Sequence, residues 1–211
     1  MADWVAISSL ATAGGTLALA GATYASVRSA NRAARAAEGS LLAELRPLIV
    51  ESFPDDPAQR VNFVDAAGIV VPGGGAAVQI IENSIYIVIS LRNVGPGIGV
   101  LHGGLVHPER QGATQEPESL ESFRMLSRDL YIAPGKLGFW QIAYRDRNDP
   151  EYYRILAGID QGWLTADILY GDFEGGQRVI TRYMVRREDD GEWRVSTIRH
   201  WQVDRSDPRR A

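Results

Sequence analysis

Three histidines, His102, His107 and His200, are the side chains of this sequence best suited to bind a metal or to transfer protons near neutral pH. His102 and His107 would face opposite sides of a regular strand, because their spacing is odd. A zinc site needs three or four ligands. The chain has no cysteine, so carboxylates would have to complete such a site. This pattern favours isolated histidines in polar turns.

Carboxylates and glycines supply two further patterns that could carry chemistry. Residues 146–149 offer several oxygen ligands, but they lack the spacing and the glycine of a calcium loop. Gly95, Gly97 and Gly99 are spaced like a phosphate-binding loop, yet a dinucleotide fingerprint needs a helix after the glycines, and the residues that follow are strand-like. We therefore predict no catalytic residue, no cofactor-binding residue and no metal ligand, and we expect a protein that is not an enzyme.

The amino-acid composition indicates what class of protein this is and which partners it disfavours. The hydrophobic fraction is 45% and the charged fraction 23%, which is typical of a globular chain. The net charge is −4, so the sequence predicts no nucleic-acid partner.

The first 27 residues predict a transmembrane helix. No charged residue lies between Trp4 and Val27, and a helix of that length spans a hydrocarbon core of about 30 Å. Trp4 and Tyr24 would lie near the two interfaces, where aromatic rings are favoured. Residues 4–27 would then contact the lipid bilayer, although Ala, Gly, Ser and Thr make their hydrophobicity marginal. A helix that packs into a partner complex is the alternative, and a cleaved signal peptide is disfavoured because Asp3 makes the start acidic.

Charge gives the predicted orientation of this helix. Arg28, Arg32 and Arg35 follow the apolar stretch. The positive-inside rule then places the C-terminal domain in the cytoplasm, as a single-pass protein of the inner membrane. Small residues four apart, such as Gly14 and Ala18, would allow two such helices to associate, although an Ala/Gly-rich helix produces this spacing by composition alone.

A helical stalk is predicted over residues 28–46, with a break near Gly39. Pro47 disfavours helix at Arg46 and begins an extended segment.

Residues 47–204 read as one mainly β domain, an antiparallel β-sandwich, followed by a C-terminal tail at 205–211. A short helix is predicted over 149–158, and a long polar loop over 103–121. The segment 78–92 is the most apolar and is expected to be a single central strand. The strands are expected at 47–53, 78–92, 97–106, 137–144 and, as a final meander, 163–170, 177–187 and 192–203.

Two short motifs carry a resemblance to a group of proteins. Residues 91–99, Leu-Arg-Asn-Val-Gly-Pro-Gly-Ile-Gly, contain Asn-x-Gly-x-Gly, and residues 168–175 contain Tyr-x-Asp-x-x-Gly. Together with the Arg46-Pro47 pair, they resemble uncharacterised bacterial membrane-anchored proteins with an N-terminal transmembrane helix and an immunoglobulin-like β-sandwich. The resemblance implies architecture only, since the group has no common activity. The sequence departs from the pattern at Ile98 and in the insertion at 103–121.

Three functional hypotheses remain open from the sequence. The first is a non-enzymatic β-sandwich module that binds or scaffolds a protein partner at the inner membrane. The second is a ligand sensor or enzyme with a site in the loops at 93–107 and 146–153, which requires His102 or His107 to meet carboxylates. The third is a soluble subunit whose N-terminal helix packs into a partner.

Overall fold

The computed structural model describes residues 3–65 and 68–205. Helix α1 (Asp3–Glu44) forms one unit, and a domain that begins at Leu45 forms the other. The predicted helix over the N-terminal region is confirmed, but the predicted break near Gly39 is wrong, since α1 continues through it. One glycine costs a helix only about 1 kcal/mol, and the alanines and leucines on both sides are strong helix formers. Most of the predicted tail, from residue 206, lies outside the described residues.

Membrane insertion requires a helix that is both long and apolar, and none of the helices in the described part of the chain combines the two properties. The described side chains of α1 from Thr12 to Leu41 are all exposed. Trp4, predicted to lie at an interface, is outside the described side chains.

The domain consists mainly of antiparallel strands, as predicted. In chain order its elements are β1 (Ile49–Glu51), β2 (Gln59–Val61), β3 (Ile69–Val71), β4 (Gly75–Ile81), β5 (Ser84–Asn93), β6 (Gly99–His107), β7 (Arg124–Ile132), β8 (Leu137–Tyr144), α2 (Pro150–Gln161), β9 (Trp163–Gly171), β10 (Val179–Arg187) and β11 (Trp193–Gln202).

Nine of these strands form one antiparallel sheet in the order β1-β5-β4-β11-β10-β9-β6-β7, and β8 pairs with the other edge of β5. The join between β4 and β11 is only two residue pairs long. The sheet can therefore fold over at this join, consistent with a β-sandwich. Among the described residues, β1, β7 and β8 each pair with a single strand of this sheet.

Three hydrophobic clusters hold the layers together. The largest lies between the two halves of the sheet, around Trp140 and Tyr183, and α2 contributes Tyr152 and Ile155 to it. A second cluster lies under the β2–β3 hairpin, and a third lies around Phe123, at the end of the segment that follows β6.

Several predicted elements are confirmed. The meander β9-β10-β11 is present, β8 has the predicted bounds, and the short predicted helix is α2. The Asp149 side chain caps its start by accepting a hydrogen bond from the Glu151 N–H.

Other predictions are wrong. The segment 78–92 is a hairpin and not one strand, because Glu82 and Asn83 turn the chain with φ values of 49° and 70°. The loop predicted over 103–121 begins only after His107, because residues 103–107 belong to β6.

Candidate functional site

Strands β7 and β8 follow each other in the chain but separate into different parts of the sheet. β7 pairs with β6, whereas β8 pairs with β5. Near the turn that joins them they pack closely, since a Cβ atom on Gly138 would lie 2.6 Å from the Ile132 side chain. Farther from the turn, a groove of about 910 Å³ opens between them.

Three segments form the walls of this groove, which we call the β7–β8 groove. β7 contributes residues 124–128, β8 and the residue after its end contribute 141–143 and 145, and the segment after β2 contributes 62–65. Apolar contact surface comes from Phe63, Leu126 and Ile142, and from Met125, a residue that is 62% exposed.

Unpaired strand edges border the groove on both sides. β7 pairs with β6 only, so its other edge has no strand partner in the described part of the chain. Its pairing with β6 is also interrupted, because Met125 pairs with Gly103 and Leu130 with Leu101, which leaves residues 126–129 opposite His102. On β8, every described pairing is with β5, and its other edge has no strand partner in the described part of the chain. An unpaired edge presents N–H and C=O groups that can bind another extended chain.

One buried polar atom of the groove wall lacks a hydrogen-bond partner among the described residues. The Oε1 atom of Gln141 is buried and accepts no hydrogen bond from the described residues. A buried acceptor without a donor costs free energy, so this amide is suited to receive an N–H group.

Arginines dominate the electrostatics of the groove. Arg145 holds Asp65 with two hydrogen bonds, one of 2.8 Å, and these hydrogen bonds lower the pKa of Asp65 below its ordinary value. Arg124 lies 4.8 Å from the centre of the Tyr144 ring and pairs with Asp149 at 3.3 Å. Arg128 is exposed, and it forms no ion pair with the described side chains.

His107 lies in a second polar cluster, on the outer face of the sheet. Arg182 and Asp167 form a doubly hydrogen-bonded pair at 2.7 and 2.6 Å, and both side chains are almost completely buried. Burial alone would raise the pKa of Asp167, but the hydrogen bonds and charge of Arg182 outweigh it and hold this pKa below its ordinary value. His107 Nε2 lies 3.8 Å from Asp167 and has no hydrogen-bond partner among the described atoms, and His107 Nδ1 lies 3.9 Å from Glu118.

The second cluster fastens the segment between β6 and β7 onto the sheet. Arg182 donates to the carbonyl oxygens of Gly112 and Gln115 at 2.9 and 2.8 Å. Thr165 donates to the carbonyl of Glu109 at 2.9 Å and accepts from the N–H of Gln111 at 3.1 Å. We call residues 108–119 the latched loop. The polar side chains near His107 thus act mainly by forming hydrogen bonds to the backbone of the latched loop.

The other predicted histidines and carboxylates are not brought together with His107. His102 lies beside Gly171, and His200 shares a 2.6 Å hydrogen bond with Thr181. Asp146 accepts from the N–H of Asn148, and Asp149 caps α2, so both act in local turns. Among residues 3–65 and 68–205, no group of three or more His, Asp or Glu side chains is arranged to hold a metal ion.

The Asn-x-Gly-x-Gly motif binds the segment at which the chain enters the domain. The Asn93 side chain accepts from the N–H groups of Leu48 and Gly95 and donates to the carbonyls of Gly97 and Ile132. A Cβ atom on Gly97 would lie 1.8 Å from the carbonyl oxygen of Leu45, so this position admits only glycine.

Sequence reasoning did not find the β7–β8 groove or Arg128. The weak signal was the segment 124–132, Arg-Met-Leu-Ser-Arg-Asp-Leu-Tyr-Ile. Its residues Leu126, Leu130 and Ile132 alternate toward the core, but a charged residue, Arg128, interrupts the period of two. Arg128 lies where the pairing of β7 with β6 is irregular. Comparison of the chain with protein-family models, with curated proteins and with solved structures finds no match.

Proposed function

We propose that the β domain is a non-enzymatic module that binds a protein partner by accepting an extended segment in the β7–β8 groove. The observation that carries this proposal is that two unpaired strand edges border one groove. Main-chain hydrogen bonds to such an edge supply affinity, and pockets for alternate side chains supply specificity.

The size and lining of the groove support an extended segment as the ligand. A volume of about 910 Å³ is at the upper end of the range for small-molecule pockets, so the groove has room for a short peptide segment. The Phe63 ring packs edge-on against the Tyr86 ring, with 4.9 Å between the ring centres. This contact fixes the position of Phe63 in the groove wall. Exposed Met125 offers an adaptable apolar contact.

Hydrogen exchange of the full-length chain tests the proposal. Peptides of about eight residues, a common strand length, would be selected from a random displayed library. Slower amide exchange in both 124–128 and 141–145 is expected when a selected peptide binds, because new strand pairing protects these N–H groups.

Proline variants identify the edge. Ser127 lines the groove and has no partner on β6, so Ser127→Pro should weaken peptide binding without breaking the pairing of β7 with β6. Asp189→Pro, at the tip of the β10–β11 turn, should not weaken it. Protection confined to the latched loop, or equal binding by both variants, would overturn the proposal.

One observation supports the alternative hypothesis of a ligand sensor or enzyme with a site in the loops at 93–107 and 146–153. His107 lies near Asp167 and Glu118. However, the Asp167 carboxylate already accepts hydrogen bonds from Arg182, and Arg182 also donates to the latched loop. This arrangement is better suited to stabilising the fold than to catalysing a reaction.

Attachment at the inner membrane through residues 4–27, with a cytoplasmic domain, stays a proposal from the sequence, as does the immunoglobulin-like topology. The charge-free stretch before Arg28 supports attachment. The hydroxyls of Thr12 and Thr16 donate hydrogen bonds to carbonyls one turn back, so these polar groups are paired within the helix.

Fractionation of the full-length protein with a C-terminal reporter active only in the cytoplasm is the test of this attachment. Membrane retention with an active reporter is expected, and recovery without detergent in the soluble fraction would contradict the proposal.

A further inference from the structure

We propose that the segment accepted by the β7–β8 groove is acidic and that Arg128 binds one of its carboxylates. This inference rests on the proposed function, and it adds the chemistry of the ligand.

The groove carries a positive charge that no described carboxylate pairs, on a chain that is negative overall. Its lining residues include three arginines, at 124, 128 and 145, and one aspartate, Asp65. Arg124 is paired with two carboxylates outside the lining, at 3.3 and 3.6 Å, so the unpaired charge is that of Arg128. The whole chain has a net charge of −4. An unpaired positive charge in the groove attracts acidic segments and disfavours basic ones.

The three arginines differ in what they can offer a ligand. Arg145 is held by Asp65, and Arg124 is held by Asp149 and lies against Tyr144. Arg128 is exposed and has no ion-pair partner among the described side chains. Its planar guanidinium can therefore bind a carboxylate with two parallel hydrogen bonds.

Gln141 favours a ligand that can donate a hydrogen bond. Its Oε1 atom is buried in the groove wall without a donor. A turn of this amide toward the groove would let a main-chain N–H of the ligand supply one. A ligand that carries both N–H donors and carboxylates is an acidic peptide segment. In an extended segment, side chains on one face recur at every second residue, so acidic residues are expected at alternate positions.

Three labelled peptides of about eight residues test the inference on the full-length chain by fluorescence anisotropy. They share Thr and Val at alternate positions and carry Glu, Gln or Lys at the others. The Glu peptide is expected to bind most tightly and the Lys peptide least. Arg128→Glu should weaken binding of the Glu peptide by roughly tenfold or more, the factor that about 1.4 kcal/mol represents. Arg128→Gln should have a smaller effect of the same sign.

Arg194→Glu is the matched control, because Arg194 is an exposed arginine on β11, which three strands separate from β7 in the sheet. It should leave the preference for Glu unchanged. Equal binding of the three peptides, with exchange protection still in the groove, would overturn the acidic preference and leave the proposed function standing. Binding of none of them would count against both. A dimer in sedimentation analysis that Ser127→Pro dissociates would overturn the inference, because the occupant would then be a second copy of the chain.

Discussion

At the scale of single residues, the buried pair of Asp167 and Arg182 links three strands to the latched loop. Asp167 lies on β9, Arg182 lies on β10 and donates to two loop carbonyls, and His107 on β6 lies beside them. Removing one partner of a buried pair leaves an uncompensated charge, which costs more than the intact pair contributes.

Asp167→Asn is therefore expected to lower the free energy of unfolding by roughly 3–5 kcal/mol. Urea unfolding followed by tryptophan fluorescence measures this change. Glu188→Gln, which breaks the exposed pair with Arg186, is the control and should cost at most about 1 kcal/mol. Equal losses in the two variants would contradict the importance of burial.

The same pair gives the wild-type protein a dependence on acid. The pKa of Asp167 is lowered in the folded state, so the stability it contributes is complete above the unfolded-state value of about 3.9 and is lost as the pH falls through the folded-state value. Wild-type stability should thus fall more steeply below about pH 4 than that of Asp167→Asn.

Asn93 is a second residue with many buried partners, since its amide completes four hydrogen bonds and its side chain is fully buried. Asn93→Ala leaves two N–H groups and two carbonyls without this partner. We expect a loss of about 2–4 kcal/mol in the free energy of unfolding, measured by urea titration. Asn148→Ala, at an exposed turn, should change it by less than about 0.5 kcal/mol.

At the scale of elements, the clearest difference between sequence and structure is the hairpin at Glu82 and Asn83. The flanking residues are so apolar that the segment reads as one buried strand, and glutamate is an unusual residue for a turn with positive φ. Tertiary pairing of β4 with β5 imposes the turn, although the local sequence signals it weakly.

This conflict predicts a stabilising substitution. Glu82→Asn replaces a residue that is strained at a φ of 49° with one that tolerates the left-handed region. The free energy of unfolding should rise by about 0.5–1 kcal/mol in thermal or urea unfolding. Glu82→Gln removes the same charge but keeps the strained backbone, so it should give no such gain. A gain with Gln would show that charge, and not backbone conformation, is responsible.

Other elements were predictable to different degrees for physical reasons. The meander β9-β10-β11 and strand β8 have clear apolar runs bounded by turn residues, and α2 has an aspartate cap and a proline at its start. β2 and β3 are only three residues long, too short for a period to be visible. The β7–β8 groove arises because adjacent strands pair with distant partners, and local sequence does not encode such long-range pairing.

At the scale of the whole molecule, the three hydrophobic clusters are built from residues of the domain alone. Their fully buried members run from Ile49 to Val195, and no described residue of α1 belongs to any of them. β1 is the first element of the chain that the clusters require. Its Ile49 accepts a hydrogen bond at its carbonyl from the Tyr183 hydroxyl and donates its N–H to the Tyr170 hydroxyl.

These facts predict where the chain can be shortened. A chain that starts at Leu45 keeps Ile49 and the hydrogen bonds of Asn93 to the entering segment, so its melting temperature should match that of the full-length protein within a few degrees. A chain that starts at Phe53 lacks β1 and leaves two buried tyrosine hydroxyls without these partners. It should melt at a clearly lower temperature or lose its cooperative transition, because Ile49 also leaves a cavity in the main cluster. Equal melting of the two shortened chains would contradict the role assigned to β1, and a large loss in the longer one would show that α1 contributes to the stability of the domain.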